Sequence, residues 1–185
     1  MASDSSEKVS VPAATRYFAP SGTFLITCGT GEAANVMTAS AVSIACIDPP
    51  MLGVAIGHSR HSHGLLVQCG EFVVNVPDVA LLEAVRICGS RSGRDTDKFA
   101  LSGLHAEPSL QVAVPSIREC PLNIECVVED SLDLGSHQWF AGRIVAVRAD
   151  RELLDENGTV AAERLDPILT VFQEYWTAGR FLEAH

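Results

Sequence analysis

NVMTASAVSIACIDPPMLGVAI, residues 35–56, contains two predicted β-strands and the corner between them. The first strand, at about Thr38 to Cys46, consists of small and β-branched residues, which fit a pleated sheet. Asp48–Pro50 ends this strand, because proline donates no backbone hydrogen bond and fixes its own φ. A short apolar strand is then predicted from Met51 to Ile56.

Small side chains and hydroxyl groups cluster at the start of this stretch, in N-V-M-T-A-S at residues 35–40. Small residues let a flat molecule approach the backbone closely, and the asparagine and threonine groups can form hydrogen bonds with it. The start of the first strand is therefore a candidate ligand site.

Length and composition predict one globular domain, since the chain has 185 residues, 47% hydrophobic and 19% charged. No apolar run is long enough to cross a bilayer, and the N-terminus lacks the basic segment and apolar run of a secretory signal. We therefore expect a flexible arm over residues 1–20, a single domain over residues 21–180 and a cytoplasmic location. The net charge of −10 argues against nucleic acid or an anionic membrane as the main partner.

Six cysteines, at positions 28, 46, 69, 88, 120 and 126, form no C-x-x-C pair. Most lie in apolar segments, where a free cysteine behaves as a small hydrophobic residue, so reduced core thiols are preferred over disulfides or a metal site. His58, His61 and His63 lie close together, but no further ligand stands at a suitable spacing, and no metal is predicted.

Two segments could bind an anion, and each has an ordinary alternative. Four of the thirteen basic residues fall between Arg86 and Lys98, where they could hold an anionic ligand or could be surface arginines at a solvated helix end. A helix is predicted to begin at Ser59 or Ser62 and to end before Gly70. Its N-terminus suits a phosphate, or the serine only caps the helix while Arg60 points to water.

The remaining pattern predicts further strands and one more helix. The helix is capped by Asp78, has Val79, Leu82 and Val85 on one face, and ends at Gly89. Residues 151–164 are predicted to be a loop, and the tail from Pro167 to His185 is either a strand fragment or a helix. The further strands lie at residues 22–28, 71–76, 111–114, 122–129 and 137–149, with a bulge or close approach at Gly142.

The strand at residues 122–129 alternates between apolar and polar side chains, which predicts a half-buried antiparallel strand with Asn123, Glu125 and Glu129 on its polar face. Six or seven short strands with two inserted helices indicate an antiparallel barrel.

These segments resemble the flavin reductase-like family, the FMN-binding split barrels, over about Phe24 to Val147. Each segment is short, but they occur in the family's order, which makes the combination specific. The matching positions are Asn35, Met37, Thr38, Ala39 and Ser40; Asp48, Pro49 and Pro50; Ser59, Arg60 and Ser62; Phe72, Val74, Asn75 and Val76; Asp97, Lys98 and Phe99; Gly135, Ser136 and His137; and Gly142, Arg143 and Ile144.

The resemblance implies a mainly β fold, a six- or seven-stranded antiparallel split barrel of the Greek-key type with a few short helices. It also implies that a flavin ring lies against residues 37–40 and that Arg60 and Lys98 balance the charge of the flavin phosphate. The residues expected at the cofactor are Asn35, Met37, Thr38, Ala39, Ser40, Ser59, Arg60, Ser62, Asn75, Lys98 and Phe99.

The family is typically a homodimer with the flavin near the subunit boundary, and we expect the same here. Many relatives end in P-L-L-Y-x-x-G-x-Y. Pro167, Leu169 and Tyr175 match this tail, whereas Thr170 and Gln173 replace the first tyrosine and the glycine.

The chemistry implied is hydride transfer from NADH or NADPH to FAD or FMN, with a slight preference for FAD as an exchangeable co-substrate. The cofactor carries this chemistry, so no general base is needed. His137 is the one ionisable residue expected near the nicotinamide or the flavin; the alternative is that it bonds a turn carbonyl. No glycine fingerprint of a Rossmann nicotinamide domain is present.

Three functions are compatible with this resemblance. The first is a flavin reductase that supplies reduced flavin to a separate monooxygenase. The second is a flavoredoxin-like electron carrier that retains FMN and exchanges electrons with a protein partner. The third is a split-barrel oxidase similar to those acting on pyridoxamine phosphate, which would use the basic residues between Arg86 and Lys98 to hold the substrate phosphate.

Overall fold

The structure of the chain, a computed structural model, describes residues 20–179, so the predicted arm lies outside the described residues except for its last position. The helices are α1 (His61–Cys69), α2 (Leu82–Ser90) and α3 (Lys98–Ser102). The strands are β1 (Ser21–Gly22), β2 (Phe24–Cys28), β3 (Asn35–Ala39), β4 (Val42–Cys46), β5 (Met51–Gly57), β6 (Glu71–Val76), β7 (Ala106–Glu107), β8 (Ser116–Ile117), β9 (Leu122–Asp133), β10 (His137–Ala149), β11 (Ile168–Val171) and β12 (Glu174–Thr177).

Seven strands form one antiparallel sheet in the order β3-β2-β6-β9-β10-β5-β4. The first and last strands in this order, β3 and β4, are joined by only Ser40 and Ala41. The sheet must therefore curl until its two ends meet, and the backbone N–H of Ala55 on β5 donates a hydrogen bond to Ala41 O at 2.9 Å. The predicted mainly β, antiparallel split barrel is confirmed.

The single strand predicted from Thr38 to Cys46 is wrong in one respect, because the structure divides it at Ser40 and Ala41. β3 pairs with β2 at one end of the sheet, and β4 pairs with β5 at the other end. The small residues that favour a strand are also those that allow the chain to pass between the two ends. We call the segment 40–41 the barrel break.

The core has an inner and an outer layer. Inside the barrel, Ile26, Val54, Phe72 and Phe140 are buried against one another and against Leu66 of α1. On the outer side of β2 and β3, α2 covers a second cluster. That cluster contains Leu25, Val36, Ala84, Val85, Cys88, Leu104, Ile117, Cys120 and Ile168.

Gly142 on β10 lies where another residue would not fit, as predicted. The β9–β10 register shifts between Ala141 and Gly142, which marks a bulge. A Cβ atom at Gly142 would lie 2.4 Å from the ring of Phe72 and 3.0 Å from Cβ of Cys126. The missing side chain therefore leaves space for the fully buried ring of Phe72.

The polar face predicted for β9 is solvent-exposed at Glu129 but not at the other two positions. Asn123 and Glu125 are buried, and the Glu125 carboxylate accepts hydrogen bonds from the backbone N–H groups of residues 110, 111 and 112 at 2.8, 2.7 and 3.3 Å. These three hydrogen bonds hold residues 110–112 as a loop. The strand predicted at residues 111–114 is therefore wrong, because the described chain has no strand there. The alternation was correct for a strand, but a loop covers its polar side.

The helices differ from prediction mainly at their ends. α1 ends at Gly70 as predicted, with φ of 67°, but its N-cap residue is Arg60 and neither Ser59 nor Ser62 caps it. Asp78 caps a 3-10 turn, which precedes α2, by accepting a hydrogen bond from the N–H of Ala80. Val85 is buried as predicted, whereas Val79 and Leu82 are 41% and 36% exposed.

Two further segments complete the described chain. α3, where no helix was predicted, is capped by Asp97 and followed by Gly103 with φ of 71°. The tail beyond Pro167 forms a hairpin of β11 and β12, which resolves the open choice in favour of strands for residues 168–177. None of the helices in the described part of the chain has the length and apolarity that a bilayer span requires.

Candidate functional site

A cavity of about 390 Å³ lies at the barrel break, and we call it the first cavity. This volume falls within the usual range for a small-molecule site, about 300–1,000 Å³. Five parts of the chain form its walls: the β3–β4 segment, the end of β5, the start of α1, the segment from the end of α2 to α3, and the start of β10. The lining positions are 37–41, Ala55, Gly57, 59–62, 88–94, Lys98 and His137.

One wall is the segment 37–41, Met-Thr-Ala-Ser-Ala. Met37 packs against the inner core, and the short side chains of residues 38–41 allow close approach to the backbone. The hydroxyl group of Thr38 donates a hydrogen bond to Val85 O of α2 at 2.6 Å, which fixes this side chain against the helix. Its oxygen retains acceptor capacity toward the cavity. The wall therefore suits a flat molecule that packs against backbone.

The charge of the first cavity is opposite to that of the chain as a whole. Arg60, Arg91, Arg94 and Lys98 line it, and no aspartate or glutamate does, whereas the whole chain has a net charge of −10. None of the ion pairs found among residues 20–179 involves these four cations. Four uncompensated cations around one cavity favour an anionic ligand.

Lys98 is the most deeply buried of these cations, with 5% of its surface exposed. Its Nζ donates a hydrogen bond to Cys88 O at 2.9 Å, near the C-terminal end of α2, where a cation is favoured by the helix dipole. Burial lowers the pKa of Lys98 below the usual lysine value, and the neighbouring Arg60 adds to this. A ligand that carries negative charge would offset both effects.

Asn35 forms a hydrogen bond with the start of α1. Its Nδ2 donates to Ser62 Oγ at 2.8 Å, so the hydroxyl group of Ser62 keeps its own hydrogen to donate elsewhere. A Cβ atom at Gly93 would lie 2.1 Å from Asn35 Oδ1, so only glycine allows the 88–94 segment to approach this closely. Arg94 Nη1 donates to Ser59 O at 3.0 Å and ties the same segment to α1.

His137 enters the cavity from the start of β10, opposite Gly57 in the β5–β10 register. Its Nδ1 lies 2.8 Å from Ser136 Oγ, which leaves Nε2 as the other ring nitrogen available to a ligand. His58 and His63 are engaged elsewhere, with Asp133 Oδ1 at 3.3 Å and Gln138 Oε1 at 2.7 Å respectively. No group of histidine, cysteine and acidic side chains within residues 20–179 could hold a metal ion.

Cys88 also lines the first cavity, but it is not a nucleophile at neutral pH, because burial raises the pKa of its thiol. Burial likewise raises the pKa of Cys28 and Cys126 to about 12. All six cysteines lie within the described residues, and all are free thiols. Nothing on the cavity wall therefore indicates covalent catalysis by a thiol.

The structure brings nine of the twelve predicted site residues together at the first cavity, and three lie elsewhere. Asn35 lies behind the wall, as described above. Asn75 is fully buried and uses its amide to bind Leu25 O, the N–H of Ile117 and Asn123, so it supports the fold. Phe99 packs against the outer core cluster. The nine on the wall are Met37, Thr38, Ala39, Ser40, Ser59, Arg60, Ser62, Lys98 and His137.

Arg91 and Arg94 are cavity residues that the site prediction omitted. The sequence contained a sign of them, since four basic residues are concentrated between Arg86 and Lys98 in an acidic chain. The position of Arg94 beside the start of α1 depends on a contact with Ser59, 35 residues away, which the sequence does not display.

Comparison with known proteins identifies the class to which this fold and cavity belong. The family model described as "Flavin reductase like domain" matches residues 16–174. The chain belongs to this family, and a flavin-related redox function follows from that membership.

Among relatives by sequence, an uncharacterized protein of Archaeoglobus fulgidus is 45% identical over 131 residues, which cover 71% of this chain and 73% of that protein. Among solved structures, flavoredoxin of Desulfovibrio vulgaris (Miyazaki F) is 28% identical with a TM-score of 0.88, covering 96% of this chain and 97% of its own. Nitrilotriacetate monooxygenase component B from Bacillus cereus is 22% identical with a TM-score of 0.87, covering 97% and 100%. The last likeness concerns the fold alone.

Proposed function

We propose that the chain is an NAD(P)H-dependent flavin reductase, which transfers a hydride from NADH or NADPH to FAD or FMN held in the first cavity. The observation that carries this proposal is the composition of the cavity wall, where four cations and no carboxylate lie beside a segment of small residues. A flavin mononucleotide unit combines the two properties that such a wall selects, a flat ring system and a negatively charged phosphate.

The residues of the first cavity divide into two groups by what they would hold. Residues 37–41 form the small-residue wall and would lie against the ring. Lys98, Arg60 and Arg94 supply positive charge, and Ser62 supplies a hydroxyl donor held by Asn35, so this group would hold the phosphate. When bound, the flavin supplies the redox chemistry, and the protein supplies binding, orientation and electrostatics.

His137 is proposed to position the nicotinamide or the flavin, because it lies at the cavity wall with one ring nitrogen engaged by Ser136. Hydride transfer needs no general base, so His137 acts through orientation and hydrogen bonding in this proposal. The fingerprint of a separate nicotinamide domain is missing from the sequence, which supports binding of the nicotinamide directly beside the flavin.

A homodimer is part of the proposal. β4 is the last strand in the sheet order. Ile44 on this strand has 69% of its surface exposed, and Ile47, just after the strand, has 78% exposed. Beside them lies an apolar cavity of about 430 Å³, to which Val42, Leu52 and Ile44 contribute. Exposed apolar surface next to a strand edge favours association with another copy. Sedimentation equilibrium tests this point, and a monomer at micromolar concentration would contradict it.

Turnover measurements test the enzymatic part of the proposal. Purified chain is assayed for oxidation of NADH and of NADPH, each with no flavin, with FMN and with FAD. The proposal predicts oxidation that depends on added flavin and saturates with it, and reduced flavin that a separate monooxygenase in the cytoplasm could use. A rate equal to that of free flavin without protein would contradict the proposal.

A second function is favoured by the likeness to flavoredoxin across 96% of the chain. In that case the chain would retain FMN and exchange electrons with a protein partner, and reaction with NADH would be slow. Gel filtration of flavin-loaded protein distinguishes the two functions. An electron carrier remains yellow after passage and reacts slowly with NADH, whereas a reductase that uses flavin as a substrate loses the colour and reacts rapidly when flavin is restored.

A further inference from the structure

A second cavity, of about 870 Å³, adjoins the first cavity and has not been given a role above. The two cavities share Thr38, Ser40, Gly89, Ser90 and Arg91. Beyond this shared wall, the second cavity extends along α2 and α3 to the tail hairpin of β11 and β12. These shared residues make the two cavities neighbours, so a ligand that extends from the first cavity past them would reach the second.

The second cavity adds one cation, Arg86, to Arg91, which it shares with the first cavity. Glu83 is the one carboxylate on its wall. Neither guanidinium belongs to an ion pair found within residues 20–179, although Arg86 and Glu83 lie on the same helix. Guanidinium groups bind phosphate oxygens through two parallel hydrogen bonds, so this pair of arginines suits a phosphate or pyrophosphate.

The rest of the wall suits a nucleobase. Tyr175 on β12 is 40% exposed and Leu101 on α3 is 50% exposed, and both line the second cavity. An aromatic face stacks with any base, and an aliphatic side chain provides apolar contact. Gln173 contributes an amide, which can donate to and accept from the edge of a purine. The tail hairpin and α3 thus provide surfaces that the first cavity does not contain.

We propose that the second cavity binds the adenosine 5′-phosphate half of a dinucleotide whose redox-active half lies in the first cavity. This inference rests on the proposed flavin reductase function and adds a second subsite to it. Two kinds of ligand carry such an adenosine 5′-phosphate half, namely FAD and the nicotinamide dinucleotides. The mononucleotides FMN and reduced nicotinamide mononucleotide lack the adenosine half and so isolate its contribution for each source.

The test uses Arg86→Ala and Tyr175→Ala, which change side chains of the second cavity that do not line the first. Arg151→Ala is the matched control, because Arg151 is exposed and lines neither cavity. Dissociation constants are measured for FAD and FMN, and KM is measured for NADH and for reduced nicotinamide mononucleotide, with wild-type chain and each variant.

If FAD is the source, each variant weakens FAD binding by about tenfold and leaves FMN binding within about twofold of wild type. If a nicotinamide dinucleotide is the source, KM for NADH rises by about tenfold, while the constants for both flavins and for reduced nicotinamide mononucleotide stay within about twofold. Equal changes for dinucleotide and mononucleotide, or no change in any constant, would overturn the second subsite while leaving the flavin site intact. Wild-type chain that binds neither FAD nor FMN would overturn the proposed function and this subsite together.

Discussion

Replacement of Lys98 by methionine separates what this residue does for the fold from what it does for the ligand. Methionine has a similar length and no charge, so Lys98→Met removes the ammonium group while filling most of its space. The change lies at the deepest cation of the first cavity, 5% exposed, whose Nζ donates to Cys88 O at 2.9 Å. We expect opposite sensitivities for stability and for binding.

The effect on stability is small because two contributions oppose each other. Loss of the hydrogen bond to Cys88 O costs about 0.5–1.5 kcal/mol. Removal of a buried ammonium group relieves the desolvation that lowers the pKa of Lys98, which stabilises the chain without ligand. The free energy of unfolding of the ligand-free protein should therefore change by no more than about 1 kcal/mol.

The effect on phosphate binding is large because nothing opposes it. A hydrogen bond between a buried ammonium and a phosphate contributes about 1.5–3 kcal/mol, which corresponds to a loss of about 10- to 150-fold in affinity for FMN. Riboflavin has the same ring but no phosphate, so its affinity should change by less than about threefold. The ratio of the two dissociation constants isolates the role of Lys98.

Fluorescence-quenching titrations of wild-type and Lys98→Met protein with FMN and with riboflavin measure this ratio, and urea unfolding measures stability. Arg151→Met is the control for loss of one positive charge, since Arg151 does not line the first cavity. A loss of affinity that is equal for FMN and riboflavin would contradict a contact between Lys98 and the phosphate.

The pH dependence of FMN binding follows from the same residue. The pKa of Lys98 is lowered in the ligand-free protein, and a bound phosphate would favour its protonated form. Above the range in which the FMN phosphate itself titrates, affinity for FMN relative to riboflavin should therefore fall as the pH rises through the lowered pKa of Lys98 toward the ordinary lysine range. The same titrations over a pH series check this, and Lys98→Met should show a flat ratio over that range.

Three further changes test the fold around the site. Gly142→Ala should destabilise the chain by about 1–3 kcal/mol in urea unfolding, because the new Cβ would lie 2.4 Å from the Phe72 ring; an unchanged midpoint would contradict this contact. Glu125→Gln should lower the free energy of unfolding by about 1–3 kcal/mol in the same assay, because an amide nitrogen would replace a carboxylate oxygen that now accepts a hydrogen bond from a backbone N–H group. Equal stability would mean that these N–H groups have other acceptors. At neutral pH a thiol reagent should label the partly exposed Cys46 and Cys69 promptly, and the four buried cysteines only after unfolding. Prompt labelling of more than two thiols would contradict the burial of the other four.

The sequence predicted those elements whose boundaries are set by local chemistry. β6 ends before Pro77, α1 ends at Gly70, and β10 carries its bulge at Gly142, and each of these was anticipated from the residue type alone. The family motifs then supplied the order in which such elements build a barrel. The glycines and prolines that end or distort elements, together with the ordered motifs, were sufficient to predict the fold class.

Features that depend on distant contacts were not predictable in this way. The barrel break at Ser40 and Ala41 exists because the two ends of the sheet meet there. No residue type in the stretch 35–46 indicates that the strand divides at this point. Glu125 alternates like a solvent-facing residue, yet residues 110–112 cover it. Only α3 had an overlooked local sign, the Asp97 cap and the Gly103 stop around a five-residue helix.

The candidate site shows the same division. Residues 37–40 and 59–62 carry short, ordered motifs, and the structure places both at the first cavity. Asn35 and Asn75 belong to motifs of the same kind, but their amides are used within the protein, which a motif cannot reveal. Arg91 and Arg94 line the cavity although neither belongs to a motif, and Arg94 is held there by a tertiary contact with Ser59.

Hydrogen-exchange mass spectrometry with and without saturating FMN tests whether flavin binds in the cavity at the barrel break. If it does, amide exchange should be slower in residues 35–41, 57–62 and 88–98 when FMN is present, and unchanged in the loop at residues 151–166. FMN binding with protection confined to other segments would contradict binding in this cavity, as would an exchange pattern that FMN leaves unaltered throughout the chain.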